Sequence, residues 1–130
     1  MPFSRLAFLV AALATFPLAP ALACPALNGT FACPAIASEP ALTVTARTKP
    51  TGGDGAQYVF TYRIMGRDMP SQYDVAPTGL RKASDANSCD GNVLVHRTGS
   101  ETVRLSLDPQ GNFKREKNGR TEVVCPRTAD

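Results

Sequence analysis

The sequence predicts an all-β fold, either a small antiparallel up-and-down barrel or a strongly curved meander sheet, with about eight short strands stapled by disulfides. Three observations lead to this prediction. Apolar and polar residues alternate with a period of two through much of the chain, and no run shows a helical period. Gly, Pro, Asn and Asp recur about every ten residues and mark turns. Four cysteines follow an export signal, which places them in an oxidising compartment.

The chain begins with the features of a secretory signal peptide. Arg5 supplies the positive charge, residues 6–13 form an apolar stretch, and residues 21–23 (Ala-Leu-Ala) match a small-residue cleavage site. We therefore expect a signal peptide over residues 1–23 and a single exported β domain over residues 24–130, periplasmic or secreted. A chain of this length forms one domain, and its small size makes covalent cross-links useful for stability.

The first mature residue, Cys24, leaves two forms of export open. Pro17 and Pro20 interrupt the apolar stretch before it reaches the roughly 20 residues that span a bilayer, so we expect no transmembrane segment. A lipid on Cys24 would anchor the protein instead, but Ala21 stands where a lipoprotein signal usually has a Leu-like residue. Lipidation would also leave an odd number of cysteines for pairing. Free export is favoured, and lipidation stays the alternative.

Several segments have the composition and alternation of strands. In chain order they are residues 29–33, 41–47, 57–65, a weak segment at 71–75, then 92–98, 102–107, 112–117 and 120–125. Asn118-Gly119 is typical of a tight type I′ hairpin, and residues 108–111 (Asp-Pro-Gln-Gly) are typical of a type I turn followed by a left-handed glycine. These two turns tie the last three strands into an antiparallel meander.

Two connections lack a strand pattern. Residues 49–55 contain three glycines and a proline and predict a flexible loop between two long strands. Residues 76–88 are polar and irregular, with room for a single helical turn. We expect irregular structure at both places.

An aromatic stripe dominates the third predicted strand. Tyr58, Phe60, Tyr62 and Ile64 fall on one face, and Thr61 and Arg63 fall on the other. The simpler interpretation is that the stripe forms the core, because a small domain has few other residues to fill its interior. The alternative is that Tyr58, Phe60 and Tyr62 line an apolar cavity that binds a ligand, and we carry these three as candidate ligand-binding residues.

The four cysteines are expected to form two disulfides. Cys24 and Cys33 enclose a short segment, and in a four-strand meander Cys89 and Cys125 would lie at the same end. We therefore favour Cys24 with Cys33 and Cys89 with Cys125, while the other two connectivities remain open. No cysteine spacing is of the Cys-x-x-Cys type and the chain has one histidine, so neither a metal site nor a cofactor is expected.

Residues suited to catalysis are sparse. His96 is the only histidine, and no nucleophile or orienting acid can be placed beside it, so we expect a structural or surface role and no enzymatic activity. The carboxylates are scattered over turns, without a close pair.

Basic residues gather around one predicted hairpin. Lys114, Arg115, Lys117 and Arg120 flank Asn118-Gly119 and are candidates for binding an acidic partner, although charges also keep hairpins soluble. Without the charge of Arg5 the mature chain is close to neutral, so nucleic acid is not expected as a partner. We expect a monomer.

Two family resemblances rest on short motifs. Gly29-Thr30-Phe31 resembles the Gly-x-Trp motif that opens the first strand of lipocalins, with Phe in place of Trp, and implies a lipocalin-like β-barrel. Phe31-Ala32-Cys33 and Val123-Val124-Cys125 are similar to the ends of periplasmic C-type lysozyme inhibitors, which are small disulfide-linked β-barrels. The Ser-Gly-x-x-Tyr type motif of the inhibitory loop is absent from this chain.

These observations favour a non-catalytic secreted or periplasmic binding module for a small apolar ligand or a cell-envelope partner. The alternative is a proteinaceous inhibitor of a cell-envelope enzyme such as a lysozyme, and an enzyme ranks third. A ligand-binding module requires an accessible apolar cavity near Tyr58 and Tyr62. An inhibitor requires a protruding rigid loop, for which Gly66-Arg67-Asp68 and Asn118-Gly119 are the candidates.

Overall fold

The computed structural model describes residues 24–130, which form two five-stranded antiparallel sheets. The strands are β1 (Gly29–Cys33), β2 (Leu42–Gly52), β3 (Gly55–Ile64), β4 (Arg67–Val75), β5 (Asn87–Asp90), β6 (Val93–Thr98), β7 (Glu101–Leu107), β8 (Phe113–Lys117), β9 (Arg120–Cys125) and β10 (Arg127–Ala129). A single 3₁₀ turn, Thr78–Leu80, lies between β4 and β5. The predicted all-β antiparallel class is confirmed.

The two sheets face each other without closing into a barrel. The first has the order β10-β1-β2-β3-β4 and the second β5-β6-β7-β8-β9. On one side the chain passes from β9 to β10 through Pro126, whose carbonyl accepts a hydrogen bond from the Ala32 amide at 2.9 Å. On the other side β4 lies beside the short β5, and the Asn87 side chain donates to the Asp74 carbonyl at 3.2 Å. The molecule is therefore a curved sandwich linked along one side by two consecutive strands, β9 and β10, that belong to different sheets.

Several boundaries differ from the sequence prediction. Residues 49–55 are not a flexible loop, because β2 runs to Gly52 and turns tightly into β3 at Gly55. The weak fourth strand extends back to Arg67 as the continuous partner of β3. Residues 76–88 do contain one short helical turn, and they also hold the start of β5. The two extra strands, β5 and β10, are short. β5 forms a tight hairpin with the next strand, β6, whereas β10 pairs with the distant β1.

The core lies between the sheets and is built around Phe60. The largest fully buried side chains are Tyr58, Phe31, Phe60, Leu27, Leu94, Val44, Val75, Val95 and Cys125. The Phe60 ring lies 5.5 Å from that of Tyr73 and 6.0 Å from that of Phe113, so it joins both sheets. Aromatic pairs at such distances contribute about 0.5 to 1.5 kcal/mol each beyond their buried area. The predicted inward face of β3 is confirmed at Tyr58 and Phe60.

All four cysteines form disulfides, but the favoured pairing was wrong. Cys24 pairs with Cys89 and Cys33 with Cys125. The expected Cys89–Cys125 bridge fails because β5 and β9 are the two edge strands of one sheet, separated by three strands at roughly 4.8 Å spacing. Both observed bridges join a residue of the N-terminal half to the second sheet. The sulfur of Cys24 is thus engaged in pairing, which lipidation of the same atom would exclude.

The predicted signal peptide, residues 1–23, lies outside the described residues. Within residues 24–130, no helix has the length and apolar character needed to cross a membrane.

Candidate functional site

Several connections between strands gather at one end of the sandwich, which we call the open end. Tyr62 lies on β3 three residues before Met65, where the β3–β4 turn begins. Tyr62 lines a cleft between the sheets together with Glu39 of the β1–β2 connection and with Glu101 and Lys117 of the second sheet. The turns at residues 65–66, 99–100 and 118–119 and the connection over residues 34–41 therefore lie at the same end.

The cleft at the open end is small and carries many charges. Its volume is about 200 Å³, and it is lined by Glu39, Tyr62, Tyr73, Glu101, Val103, Leu105, Arg115, Lys117 and Glu122. Lys117 Nζ lies 3.2 Å from Glu101 Oε1. Binding pockets for drug-sized apolar molecules usually measure about 300 to 1,000 Å³ and have mainly hydrophobic walls. The cleft does not match an apolar ligand in size or in lining.

Arg115 is the centre of an ion-pair network in the cleft. Its Nη2 donates to Glu39 Oε2 at 2.9 Å and its Nε donates to Glu122 Oε2 at 2.7 Å, while its side chain is only 17% exposed. Burial alone would lower the pKa of Arg115, but the hydrogen bonds and charges of the two carboxylates outweigh burial and raise it. Arg115 therefore fastens the β1–β2 connection to the second sheet.

The three candidate ligand-binding residues occupy different environments. Tyr58 and Phe60 are fully buried, and the Tyr58 hydroxyl donates to the Pro25 carbonyl at 2.6 Å. Tyr62 borders the cleft, and burial raises its pKa to about 12. Only Tyr62 lies where a ligand could reach it without opening the core.

The four candidate partner-binding cations do not form one cluster. Arg115 and Lys117 line the cleft, whereas Lys114 pairs with Glu116 at 2.8 Å outside it. Arg120 is exposed at the 118–119 turn and makes no ion pair within residues 24–130. Strand alternation separates neighbours in sequence onto opposite faces, which is why the basic run does not form a single patch.

The most unusual feature of the open end is the segment of residues 64–69, which we call the hairpin tip. β3 and β4 stay paired up to Ile64 and Arg67, and Met65 and Gly66 form the turn with φ values of 52° and 78°. Positive φ at both central residues is the requirement of a type I′ turn, which strongly favours Asn-Gly. Met65 is nevertheless the first turn residue, and its side chain is 92% exposed.

A second methionine continues the apolar surface of the hairpin tip. Met69 pairs with Tyr62 across the β3–β4 ladder and is 55% exposed. The predicted loop Gly66-Arg67-Asp68 includes the second central residue of this turn and omits the first, because the predicted strand over residues 57–65 includes Met65. In the sequence, the Met-Gly dipeptide between two alternating segments is the feature that marks this turn.

His96 contacts residues of β4 and β5. Its Nδ1 lies 2.5 Å from Asn87 Oδ1, and its ring packs edge-on against Tyr73 at 4.8 Å between centroids. Among the described residues, no group of three or more His, Cys, Asp or Glu side chains could hold a metal ion. His96 therefore helps to join β4 to the second sheet.

Comparison with known proteins identifies no relative. No protein-family model, curated protein sequence or solved structure matches this chain. A functional assignment therefore depends on the geometry of the open end.

Proposed function

We propose that this protein is an exported, non-catalytic binding module that engages a partner protein of the cell envelope through its open end. The hairpin tip is the central contact, and Met65 enters an apolar pocket of the partner that is bordered by carboxylates. This proposal retains the envelope-partner form of the sequence hypothesis in preference to the form with a small apolar ligand.

The observation that carries the proposal is the conformation and exposure of Met65. A residue other than Gly, Asn or Asp in the left-handed region costs roughly 1 to 2 kcal/mol. In the free protein the Met65 side chain buries almost no apolar surface, because it is 92% exposed. Packing within the domain therefore does not offset the backbone cost. Local strain of this kind occurs preferentially at functional sites. A contact with another molecule would account for both features.

The charges near the hairpin tip support an acidic partner. Arg63 lies 4.0 Å from Asp68 across the ladder. Within residues 24–130, Arg67 beside the turn makes no ion pair, and neither does Arg120 at the 118–119 turn of the open end. Exposed cations around an apolar centre favour a pocket rimmed by carboxylates, and such complementarity raises association rates and selects the partner.

The interior gives less support to a small apolar ligand. Tyr58 and Phe60 are buried against other side chains, and the cleft beside Tyr62 contains the Arg115 ion pairs. Entry of an apolar molecule would separate these charges or leave them without water, which is unfavourable. A surface contact at the hairpin tip requires no such rearrangement.

Inhibition of an envelope enzyme is the second candidate, and the shape of the hairpin tip favours it. Its turn has only two residues, Met65 and Gly66, and an uninterrupted β3–β4 ladder down to Ala56 and Val75 supports it. A narrow, rigid, pre-organised projection is suited to entering an active-site cleft, because little flexibility is lost on binding. Here the partner would be an enzyme whose cleft carries catalytic carboxylates.

Site-specific photocrosslinking tests the proposal. A photoreactive amino acid is placed at position 65 and, as a matched control, at position 80. Leu80 is also an exposed apolar residue, 71% exposed, on the 3₁₀ turn. Each purified protein is irradiated in envelope extract of the native host. Unlabelled wild-type protein, Met65→Asn and Leu80→Asn are the competitors.

We expect one protein product from position 65, weakened by salt, that wild type and Leu80→Asn suppress and Met65→Asn does not. Identical products from positions 65 and 80, or equal suppression by Met65→Asn, would contradict the proposal. Inhibition of a C-type lysozyme by wild type but not by Met65→Asn would identify the second candidate. Absence of inhibition would leave the binding module as the better assignment.

A further inference from the structure

We infer that Met65 and Met69 form a reversible oxidation site, at which hydroperoxides convert the apolar hairpin tip into a polar one and release the partner. The release depends on the proposed function. The reactivity of the two side chains does not, and it can be measured separately.

The placement of the methionines supports this inference. The sequence has three, and Met1 lies outside the described residues. The other two, Met65 and Met69, are 92% and 55% exposed, and the buried core contains no thioether. Methionine is more often a core residue that fills irregular gaps. In this domain the thioethers are confined to the hairpin tip.

The other oxidisable sulfur atoms in the domain are already used. Residues 24–130 contain no free cysteine, since all four cysteines are in disulfides. A peroxide that meets the domain therefore encounters Met65 and Met69 as the accessible sulfur nucleophiles. The compartment expected for the exported chain is also an oxidising one.

The chemistry needs only the hydroperoxide as a co-reactant. A lone pair of the thioether sulfur attacks one peroxide oxygen, the S–O bond forms, and the O–O bond breaks. The departing oxygen takes up the proton and leaves as water or an alcohol. The sulfur loses two electrons and the peroxide gains them, which yields methionine sulfoxide. Methionine sulfoxide reductases reverse the change, with one enzyme for each sulfoxide epimer.

Oxidation should change binding without changing the fold. The Met65 side chain leaves the turn for solvent, so a sulfoxide there disturbs no packed neighbour. At a contact, however, the sulfoxide oxygen would be buried in a pocket shaped for a thioether. An uncompensated polar group in such a site weakens binding by about tenfold or more. Met69, which is half exposed beside Tyr62, should react more slowly than Met65.

The test treats the purified exported protein with hydrogen peroxide. Intact mass and peptide mapping follow oxygen addition at each methionine, and urea unfolding reports the fold. The oxidised protein, the same protein after treatment with both sulfoxide reductases, and Met65→Gln are then used as competitors in the photocrosslinking assay. Met65→Gln imitates the polar, uncharged sulfoxide.

We expect oxygen addition at Met65 first and Met69 second, an unchanged urea midpoint, loss of competition after oxidation, and recovery after reduction. Met65→Gln should also fail to compete. Oxidation of other residues before Met65, a lowered urea midpoint, or full competition by the oxidised protein would overturn the inference. If untreated protein does not compete, the proposed partner binding fails and the release fails with it. The mass and urea measurements still decide whether the oxidation site exists.

Discussion

Met65 and Asn118 occupy the same position in two turns of one molecule, with φ values of 52° and 51°. Each is followed by a glycine with positive φ, 78° at Gly66 and 82° at Gly119. Asn118 is suited to this backbone, and its side-chain oxygen accepts a hydrogen bond from the Thr102 amide at 2.9 Å. Met65 has neither advantage. Asn118 is therefore an internal reference for the backbone strain at Met65.

Exchanging the two residue types should change stability in opposite directions. We expect Met65→Asn to raise the free energy of unfolding by about 1 kcal/mol, because asparagine tolerates the left-handed region. Asn118→Met should lower it by more than that, because the Thr102 amide also loses its partner. Urea unfolding with both disulfides intact measures each change. A destabilised Met65→Asn would show that Met65 contributes to the fold, and the functional interpretation of its strain would be lost.

Alternation and turn chemistry were sufficient to predict most of the strands. The stripe through Tyr58 and Phe60 is buried as its period required, and Asn118-Gly119 forms the tight hairpin that its residues favour. Both features depend on neighbours in the sequence, so the local pattern contains the information. The same local reasoning would have identified Met65-Gly66 as a turn if glycine alone had been taken as the signal.

Long-range pairing could not be predicted in this way. β10 exists because Arg127 and Ala129 meet β1, about a hundred residues earlier, and its three residues have no pattern of their own. The disulfide pairing depends on the same information. The order of the second sheet must be known before Cys89 and Cys125 can be recognised as distant from each other. The ion pairs of Arg115 likewise require the position of Glu39. The cleft was therefore not visible in the sequence.

Truncation of Phe60 should lower the free energy of unfolding far more than truncation of Arg63, which lies on the opposite face of β3. Phe60 is fully buried among rings of both sheets, whereas the Arg63 side chain is 63% exposed. We expect Phe60→Ala to cost about 3 to 5 kcal/mol and Arg63→Ala no more than about 0.5 kcal/mol. Urea midpoints of the two variants provide the comparison. Similar midpoints would mean that the register of β3 is wrong.

Peptide mapping without reduction should recover Cys24 joined to Cys89 and Cys33 joined to Cys125. The bridges span 65 and 92 residues, so on the chain-entropy model the removal of either by paired Cys→Ala substitution costs about 4 to 5 kcal/mol. Thermal unfolding of the two double variants measures these losses. A peptide that joins Cys89 to Cys125 would contradict the sheet order described above.

Stability should fall in alkaline solution through the tyrosines of the core and cleft. Burial raises the pKa of Tyr62 to about 12 from the ordinary value of 10.0. Below pH 10 the hydroxyl is protonated in both the folded and the unfolded chain, so its titration does not lower the free energy of unfolding. Between pH 10 and about 12 the unfolded chain loses this proton first, so unfolding becomes easier as the pH rises. Above that range the hydroxyl is ionised in both states, and it lowers the free energy of unfolding no further.

The substitution Tyr62→Phe isolates this effect. Tyr62 makes no side-chain hydrogen bond within residues 24–130, so the variant should unfold near the wild-type midpoint at pH 7. By pH 12 it should be more stable than wild type by about 2 to 3 kcal/mol, because phenylalanine has no proton to lose. Urea midpoints from pH 8 to 12 measure the difference, in which the titration of other groups cancels. A difference that stays constant across this range would show that the Tyr62 hydroxyl is exposed to water, and the cleft would have to be wider than the structure describes.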